Sequence, residues 1–278
     1  MRSVVVTAPG KMEPQERPIP EPAPGWVVVR VQAMGVCGTD LEILEGTLPY
    51  LRSGKISYPI VPGHEWSGEV VSVGVGANRF TPGDRVSGET HVGCGSCERC
   101  RTGRYSSCEA VKRVGIGDLP GGCAEYITVP AQSVHRLPDS MDFATAAVLE
   151  PTTVALYGLS RAGLMGGEHV VVVDAAGDPD FFGQEVSFLR KGGTLAAIGL
   201  FKRPVPKLDL TPIVTRNLSV VGSLGSPGIW DRAIALVGAG RLEPSPIITH
   251  RFSLKEAERA FHTAADHETG AIKVIIQP

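Results

Sequence analysis

Four of the six cysteines crowd into one run, CGSCERCRTGRYSSC, as Cys94, Cys97, Cys100 and Cys108. That spacing puts three thiolates on consecutive tight turns and a fourth one loop later. Together they can surround a tetrahedral ion at about 2.3 Å each. Four thiolates close the shell and leave no place for substrate, so such an ion would pin a lobe with little apolar core of its own. Structural zinc is the first reading; a four-Cys iron–sulfur cluster or free thiols are the competing ones. Cys123 has no companion and reads as a small buried hydrophobe.

A second set is scattered along the chain. Cys37 lies in GVCGTD, His64 and Glu65 in PGHEWSGEV, and Glu150 in LEPTT. One thiolate, one imidazole and one or two carboxylates make the mixed donor set of a catalytic zinc, which keeps a position open for water or substrate. Thr39, two residues after the cysteine, can pass on a proton, and Asp40 can hold a ligand from behind. Leu48, Tyr50, Tyr58 and His91 read as walls of a pocket for a small polar molecule.

These residues must be carried by two kinds of scaffold. Up to about residue 150 the chain alternates short β-branched runs (Val27–Val31, Gly68–Val73, Asp84–Ser87 and Ala124–Val129) with turn signals such as Pro62-Gly63 and Gly121-Gly122. That pattern predicts a partly open β-barrel. From Met141 the period lengthens. Asp142 caps a helix, Thr153–Ala162 predicts another, and His169–Val173, Phe181–Leu189 and Thr194–Ile198 predict a βαβ unit of a parallel sheet. Leu218–Ser223 predicts a further strand, Ile229–Ala239 and Leu254–Ala265 two helices, and Ile272–Ile276 a last strand.

With 27 basic and 29 acidic residues the net charge is −2, so no electrostatic case exists for nucleic acid or an anionic membrane as partner. No apolar run approaches the ~18 residues that span a bilayer. The opening MRSVVVTAPGKMEP is unlike an export signal, which points to a cytoplasmic protein and to metal rather than disulfides for the clustered cysteines.

GVCGTD, PGHEWSGEV, FTPGDRV, the four-Cys lobe and GGCAEYITVP occur in this order here as they do in the zinc-dependent medium-chain dehydrogenase/reductases, and the chain resembles that family along nearly its whole length. GHE, the acidic EP position and SGETHVGCGSCERCRTGR look most like the threonine, sorbitol and polyol dehydrogenase branch. The resemblance implies a GroES-like partly open barrel over 1–152 and 247–278, and a truncated Rossmann-like parallel sheet over 153–246. It implies Cys37 and His64 as catalytic zinc ligands, Glu65 and Glu150 as alternating third or fourth ligands, and Thr39 as proton relay. Glu42 stands where relatives often carry a relay histidine and can accept a proton. The NLSVVGS strand implies a homodimer.

One family feature is missing. A dinucleotide fold needs a Gly-rich turn between strand and helix and an acid about 20 residues later. Gly74–Gly76 and Gly115–Gly117 run into further turns, and after GGEHVVVV the chain passes straight to DAAGDP, which matches the segment after the fourth strand in relatives. Asp174 has no phosphate-binding turn ahead of it. The expectation drawn from this is that NAD(P) binding is lost. Zinc would then serve a non-redox Lewis-acid step (elimination, hydration, isomerisation or cyclisation) on a small hydroxyl or carbonyl metabolite, with Thr39, Glu42, Glu65 and Glu150 moving protons. An NAD(P)-dependent zinc alcohol or polyol dehydrogenase is the alternative, and a non-catalytic zinc-stabilised binding protein the second alternative.

Overall fold

Valine-rich segments supply several of the strands, and glycine or proline ends or follows about half of them. In chain order these are β1 (Arg2–Ala8), β2 (Lys11–Glu16), β3 (Trp26–Val36), β4 (Glu65–Val73), β5 (Arg85–Gly88), β6 (His91–Val92), β7 (Lys112–Arg113), β8 (Tyr126–Pro130) and β9 (Val134–Arg136). Between them lie helices α1 (Gly38–Glu45), α2 (Pro49–Arg52) and α3 (Glu98–Arg101), and after them α4 (Phe143–Ala147) and α5 (Leu149–Arg161). The chain goes on through β10 (Val172–Asp174), α6 (Phe182–Phe188), β11 (Thr194–Ala197), α7 (Thr211–Thr215) and β12 (Ser219–Gly222). It ends with α8 (Trp230–Gly238), β13 (Ile248–Ser253), α9 (Ala257–Ala265) and β14 (Lys273–Gln277). The computed structural model describes residues 1–163, 172–201 and 203–278. They divide into two units, Met1–Thr152 with Trp230–Pro278, and Thr153–Ile229.

The first unit is built on a sheet of order β13-β14-β3-β4-β5-β9, with β8 also paired to β3, and the sheet does not close on itself. Strand β3 is long enough to pair with β8 through Trp26–Arg30 and with β14 through Met34–Val36, while β4 runs along it antiparallel. The pairing Gly35↔Glu65 therefore brings the end of β3, which leads into Cys37, beside the start of β4, which follows His64. Val27, Val29, Trp66, Ile127, Val129 and Phe261 are fully or almost fully buried in the core behind this junction. Each such side chain contributes about 1.5–3 kcal/mol by leaving water.

The sequence places the return to the first unit at residue 247, but the contacts place it at Trp230. The reason is local. Trp230 is buried against Leu137, Met141, Ala146 and Leu149, and its ring stacks on His135 at 5.0 Å. Asp142 caps α4 as expected, accepting the Thr145 N–H at 3.0 Å.

The second unit holds a parallel sheet of order β10-β11-β12. Helix α6 buries Phe182 and Val186 with Leu189 against Leu195 and Leu218 on one face of that sheet. Helix α7, between β11 and β12, is not expected from the periodicity. Of the strand expected at His169–Val173, residues 169–171 lie outside the described residues, and the described strand is Val172–Asp174.

Candidate metal and substrate site

Where β3 and β4 meet, the donor atoms of Cys37, His64 and Glu65 all lie within 4.8 Å of one another. His64 and Glu65 are buried and Cys37 is half-buried. Two glycines make the approach possible. A Cβ on Gly35 would stand 2.2 Å from Glu65 Oε2. Gly63 adopts φ +101, where a side chain would be strained and would meet Met34 and the backbone of Cys123.

Asp40 supports this cluster from beneath. Its fully buried carboxylate accepts the N–H of Cys37 at 2.9 Å and of Gly63 at 3.0 Å, and stands 3.6 Å from His64 Nδ1. His64 Nδ1 has no hydrogen-bond partner otherwise, and its orientation towards Asp40 reserves Nε2 for a metal. Burial alone would depress the His64 pKa. The Asp40 carboxylate and the Cys37 sulfur outweigh it, and the net shift is well upward. A metal binding there would therefore compete with a proton on the imidazole. A soft thiolate, an imidazole and a carboxylate converging with a backing carboxylate is a donor set that fits zinc.

Glu65 has a partner that sequence reading missed. Lys273, at the start of β14, reaches across with Nζ 2.8 and 2.9 Å from the two Glu65 oxygens and 3.2 Å from the carbonyl of Val36. Both side chains are almost wholly removed from solvent. Burial would lower the Lys273 pKa, but Glu65 and Cys37 raise it above its usual value, so the ammonium persists. The one available signal was a lysine directly before the buried apolar run Val274–Ile276 of the strand KVIIQ.

Glu150 stands outside the 4.8 Å group formed by the other three donors. It is buried, and its Oε1 accepts the Thr90 hydroxyl at 2.7 Å. Burial, the largest influence, raises its pKa together with Glu65, against the opposing pull of His64. Thr39 and Glu42 lie half-buried on the first turns of α1, three residues apart and hence on one helix face. His91 is neutral, its pKa lowered to about 4 by burial first and then by Arg113 and His64. Leu48, Tyr50 and Tyr58 pack with Ile56 and Ile116 in a small apolar cluster beside α1, and the Tyr58 hydroxyl donates to the Ile43 carbonyl at 2.6 Å.

The four clustered cysteines converge independently of that site. Their sulfurs all lie within 4.8 Å of one another, with Cys94–Cys100 at 3.9 Å and Cys97–Cys108 at 3.8 Å. Tetrahedral coordination at 2.3 Å sets sulfur–sulfur edges of about 3.8 Å, whereas a disulfide needs about 2.05 Å. Hydrogen bonds from the Ser96 hydroxyl and from the Ser96 and Cys97 N–H groups draw Cys94 down to about 5, while burial foremost pushes Cys100 up to about 12. Cys123 is fully buried, and burial pushes its thiol pKa up, so it stays protonated and apolar in character.

Comparison with known proteins agrees with this geometry. The family model "Alcohol dehydrogenase GroES-like domain" matches residues 23–139, and "Zinc-binding dehydrogenase" matches residues 123–239. A sorbitol dehydrogenase of Halalkalibacterium halodurans is 28% identical over 351 aligned positions, covering 100% of this chain and 99% of that protein. An L-threonine 3-dehydrogenase of Anaeromyxobacter dehalogenans is 28% identical, covering 92% of each. Among solved structures, an alcohol dehydrogenase (rspB) of E. coli CFT073, complexed with NADH, superposes with a TM-score of 0.90 at 22% identity, covering 100% of this chain and 99% of that one.

These relatives overturn the expectation of a non-redox zinc enzyme and the expectation that a nicotinamide cofactor plays no part. They are named as dehydrogenases, and the family model matched over residues 123–239 is that of a zinc-binding dehydrogenase. An absent Gly-rich turn and a shortened cofactor unit are not evidence about the reaction. A binding motif reports how a cofactor is gripped, whereas the donor set at Cys37, His64 and Glu65 reports on the bond to be activated. No helix among the described residues is long and apolar enough to cross a membrane. With two successive family models matched and dehydrogenases among its full-length relatives, the chain is an enzyme of the alcohol dehydrogenase type and belongs to the zinc-dependent medium-chain dehydrogenase/reductase superfamily.

Proposed function

We propose that the chain is a zinc-dependent dehydrogenase that oxidises a hydroxyl group of a small polyol or amino alcohol with a nicotinamide cofactor. The observation that carries this reading is the converged trio of Cys37, His64 and Glu65, backed by Asp40. A zinc ion held there would polarise the substrate oxygen and lower the pKa of the hydroxyl towards ~7. Oxidation removes a hydride from the alcohol carbon, accepted by the nicotinamide, and a proton from the oxygen, leaving a carbonyl product.

This chain's own residues manage that proton and that geometry. Thr39 takes the hydroxyl proton and Glu42, on the same helix face, passes it towards solvent. Asp40 fixes the tautomer and direction of His64. Lys273 holds Glu65 in place, and Thr90 holds Glu150 near the trio without adding it to the 4.8 Å group. The four-Cys lobe would hold a second zinc through Cys94, Cys97, Cys100 and Cys108, leaving no position for substrate.

The zinc-loaded protein is expected to reduce NAD+ or NADP+ in the presence of sorbitol, threonine or simple polyols, followed by nicotinamide absorbance. A protein carrying two zinc per chain that reduces neither cofactor with any of these would overturn the proposal.

The lobe makes its own prediction. Cys97→Ser is expected to lower the zinc content by one equivalent per chain and the Tm by about 5–10 °C, since a structural site contributes folding energy directly. An unchanged zinc content by metal analysis would show that the lobe is not a metal site.

Metal uptake at the inner site should also depend on pH. His64, with its pKa raised in the metal-free protein, must lose a proton before Nε2 can bind zinc. Affinity therefore weakens as pH falls, by about tenfold per unit for each proton displaced, below that raised pKa. Competition with a chelator of known affinity between about pH 6 and pH 8 reads this slope. A flat profile would mean that His64 is already neutral or is not a ligand.

A further inference from the structure

The second unit contains β10, α6, β11, α7 and β12, with its three strands parallel and in sequential order. That is one βαβαβ assembly. A dinucleotide fold uses two of these, each serving one mononucleotide at the carboxyl ends of its strands. Only residues 162–171 separate α5 from β10, fewer than the ~30 residues that a βαβ unit occupies. After β12 the chain returns to the first unit with α8. The sorbitol dehydrogenase alignment runs over 351 positions against 278 residues here, so at least 73 of its positions have no counterpart in this chain. About two βαβ units fit into that difference.

The half that is absent can be identified from its chemistry. The Gly-rich turn and the acid that binds the adenosine ribose both belong to the first half of such a fold, and the sequence between α5 and β10 contains neither. Hydride transfer needs the nicotinamide. The half that a dehydrogenase must keep is therefore the one present.

The carboxyl ends of the outer two strands lead to buried polar atoms without partners among the described residues. Asp174 ends β10 almost fully buried. Its Oδ1 accepts the N–H groups of Ala176 and Gly177 at 3.1 and 2.7 Å, while Oδ2 has no partner among the described residues. The loops after β10 and β11 touch backbone to backbone, and a Cβ on Gly199 would lie 2.2 Å from the Gly177 nitrogen. Beyond β12, the buried Ser223 hydroxyl has no partner among the described residues, and the Thr153 hydroxyl donates to Ser226 at 2.7 Å. An unused carboxylate oxygen and an unused hydroxyl are the groups that ribose hydroxyls and a carboxamide satisfy.

We infer that this chain holds its cofactor through the nicotinamide mononucleotide half alone, at the carboxyl ends of β10, β11 and β12, with the adenosine half contributing little to affinity. The inference rests on the proposed dehydrogenase reading and deepens it.

The test is a fluorescence titration of the full-length, zinc-loaded protein with NADH and, separately, with reduced nicotinamide mononucleotide. The two dissociation constants are expected to agree within about fivefold, and Ser223→Ala is expected to weaken both by the same factor. ADP-ribose is expected not to displace either ligand. Binding of NADH more than about fivefold tighter, or displacement by ADP-ribose, would overturn the inference while leaving the dehydrogenase reading intact. Binding of neither ligand would overturn that reading, and the inference with it.

Discussion

Replacing Cys37 by serine is expected to cut alcohol-dependent cofactor reduction by about a thousandfold or more, with zinc falling from two equivalents to one per chain. The magnitude follows from the role of the ion. Lewis-acid activation is worth several kcal/mol in the transition state, and each 1.4 kcal/mol is about tenfold in rate. Serine keeps the size of the side chain but offers a poor zinc ligand. The fold should survive, because Cys37 is only half-buried and the Asp40 carboxylate binds its backbone N–H rather than its sulfur. The Tm should therefore shift by no more than a few degrees, and the lobe at Cys94–Cys108 should keep its metal. Zinc content separates the two sites because their donor sets share no residue. A serine variant that retains two zinc ions and works within tenfold of the original would remove Cys37 from the catalytic centre. His64→Asn provides the independent check, since it takes away the second donor without touching α1.

The distribution of legible features follows from how each is written into the chain. Cys94 to Cys108 could be read at once, because four ligands that share one loop must appear as a local spacing. Cys37, His64 and Glu65 were readable by type and by their turn-rich contexts, but only the antiparallel pairing of β3 with β4 brings their donor atoms together. Lys273 was not readable, since it meets Glu65 across 208 positions and only the placement of β14 beside β3 brings them together. Helix α7 escaped notice because five residues beginning Thr-Pro make too short a pattern to show a helical period. The return at Trp230 was missed for another reason. Its aromatic stacking on His135 is a tertiary contact that no local composition records. The Thr90 hydroxyl that engages Glu150, outside the 4.8 Å group, is likewise a tertiary contact 60 positions away that residue type does not record.

Lys273→Met is expected to destabilise the zinc-free protein strongly and, at the same time, to tighten inner-site zinc binding. The ammonium satisfies both oxygens of Glu65 and the Val36 carbonyl, using all three of its N–H donors. Glu65 is only 1% exposed, so the methionine variant removes from the interior the ammonium that pairs with both its carboxylate oxygens. Breaking a buried pair from one side costs about 3–5 kcal/mol, which corresponds to roughly a 10 °C fall in Tm for a unit of this size. Zinc changes the balance, because a dication beside Glu65 supplies the missing positive charge. The loss should be much smaller in the zinc-loaded protein, and by linkage the zinc affinity must rise, by about tenfold or more. The double variant Lys273→Met with Glu65→Gln should recover most of the zinc-free stability, since the amide carries no charge to be neutralised. A chelator competition and two melting curves, with and without metal, measure these effects. Equal destabilisation with and without zinc, combined with an unchanged zinc affinity, would show that Lys273 serves only the packing of β14 and has no hold over the metal site through Glu65.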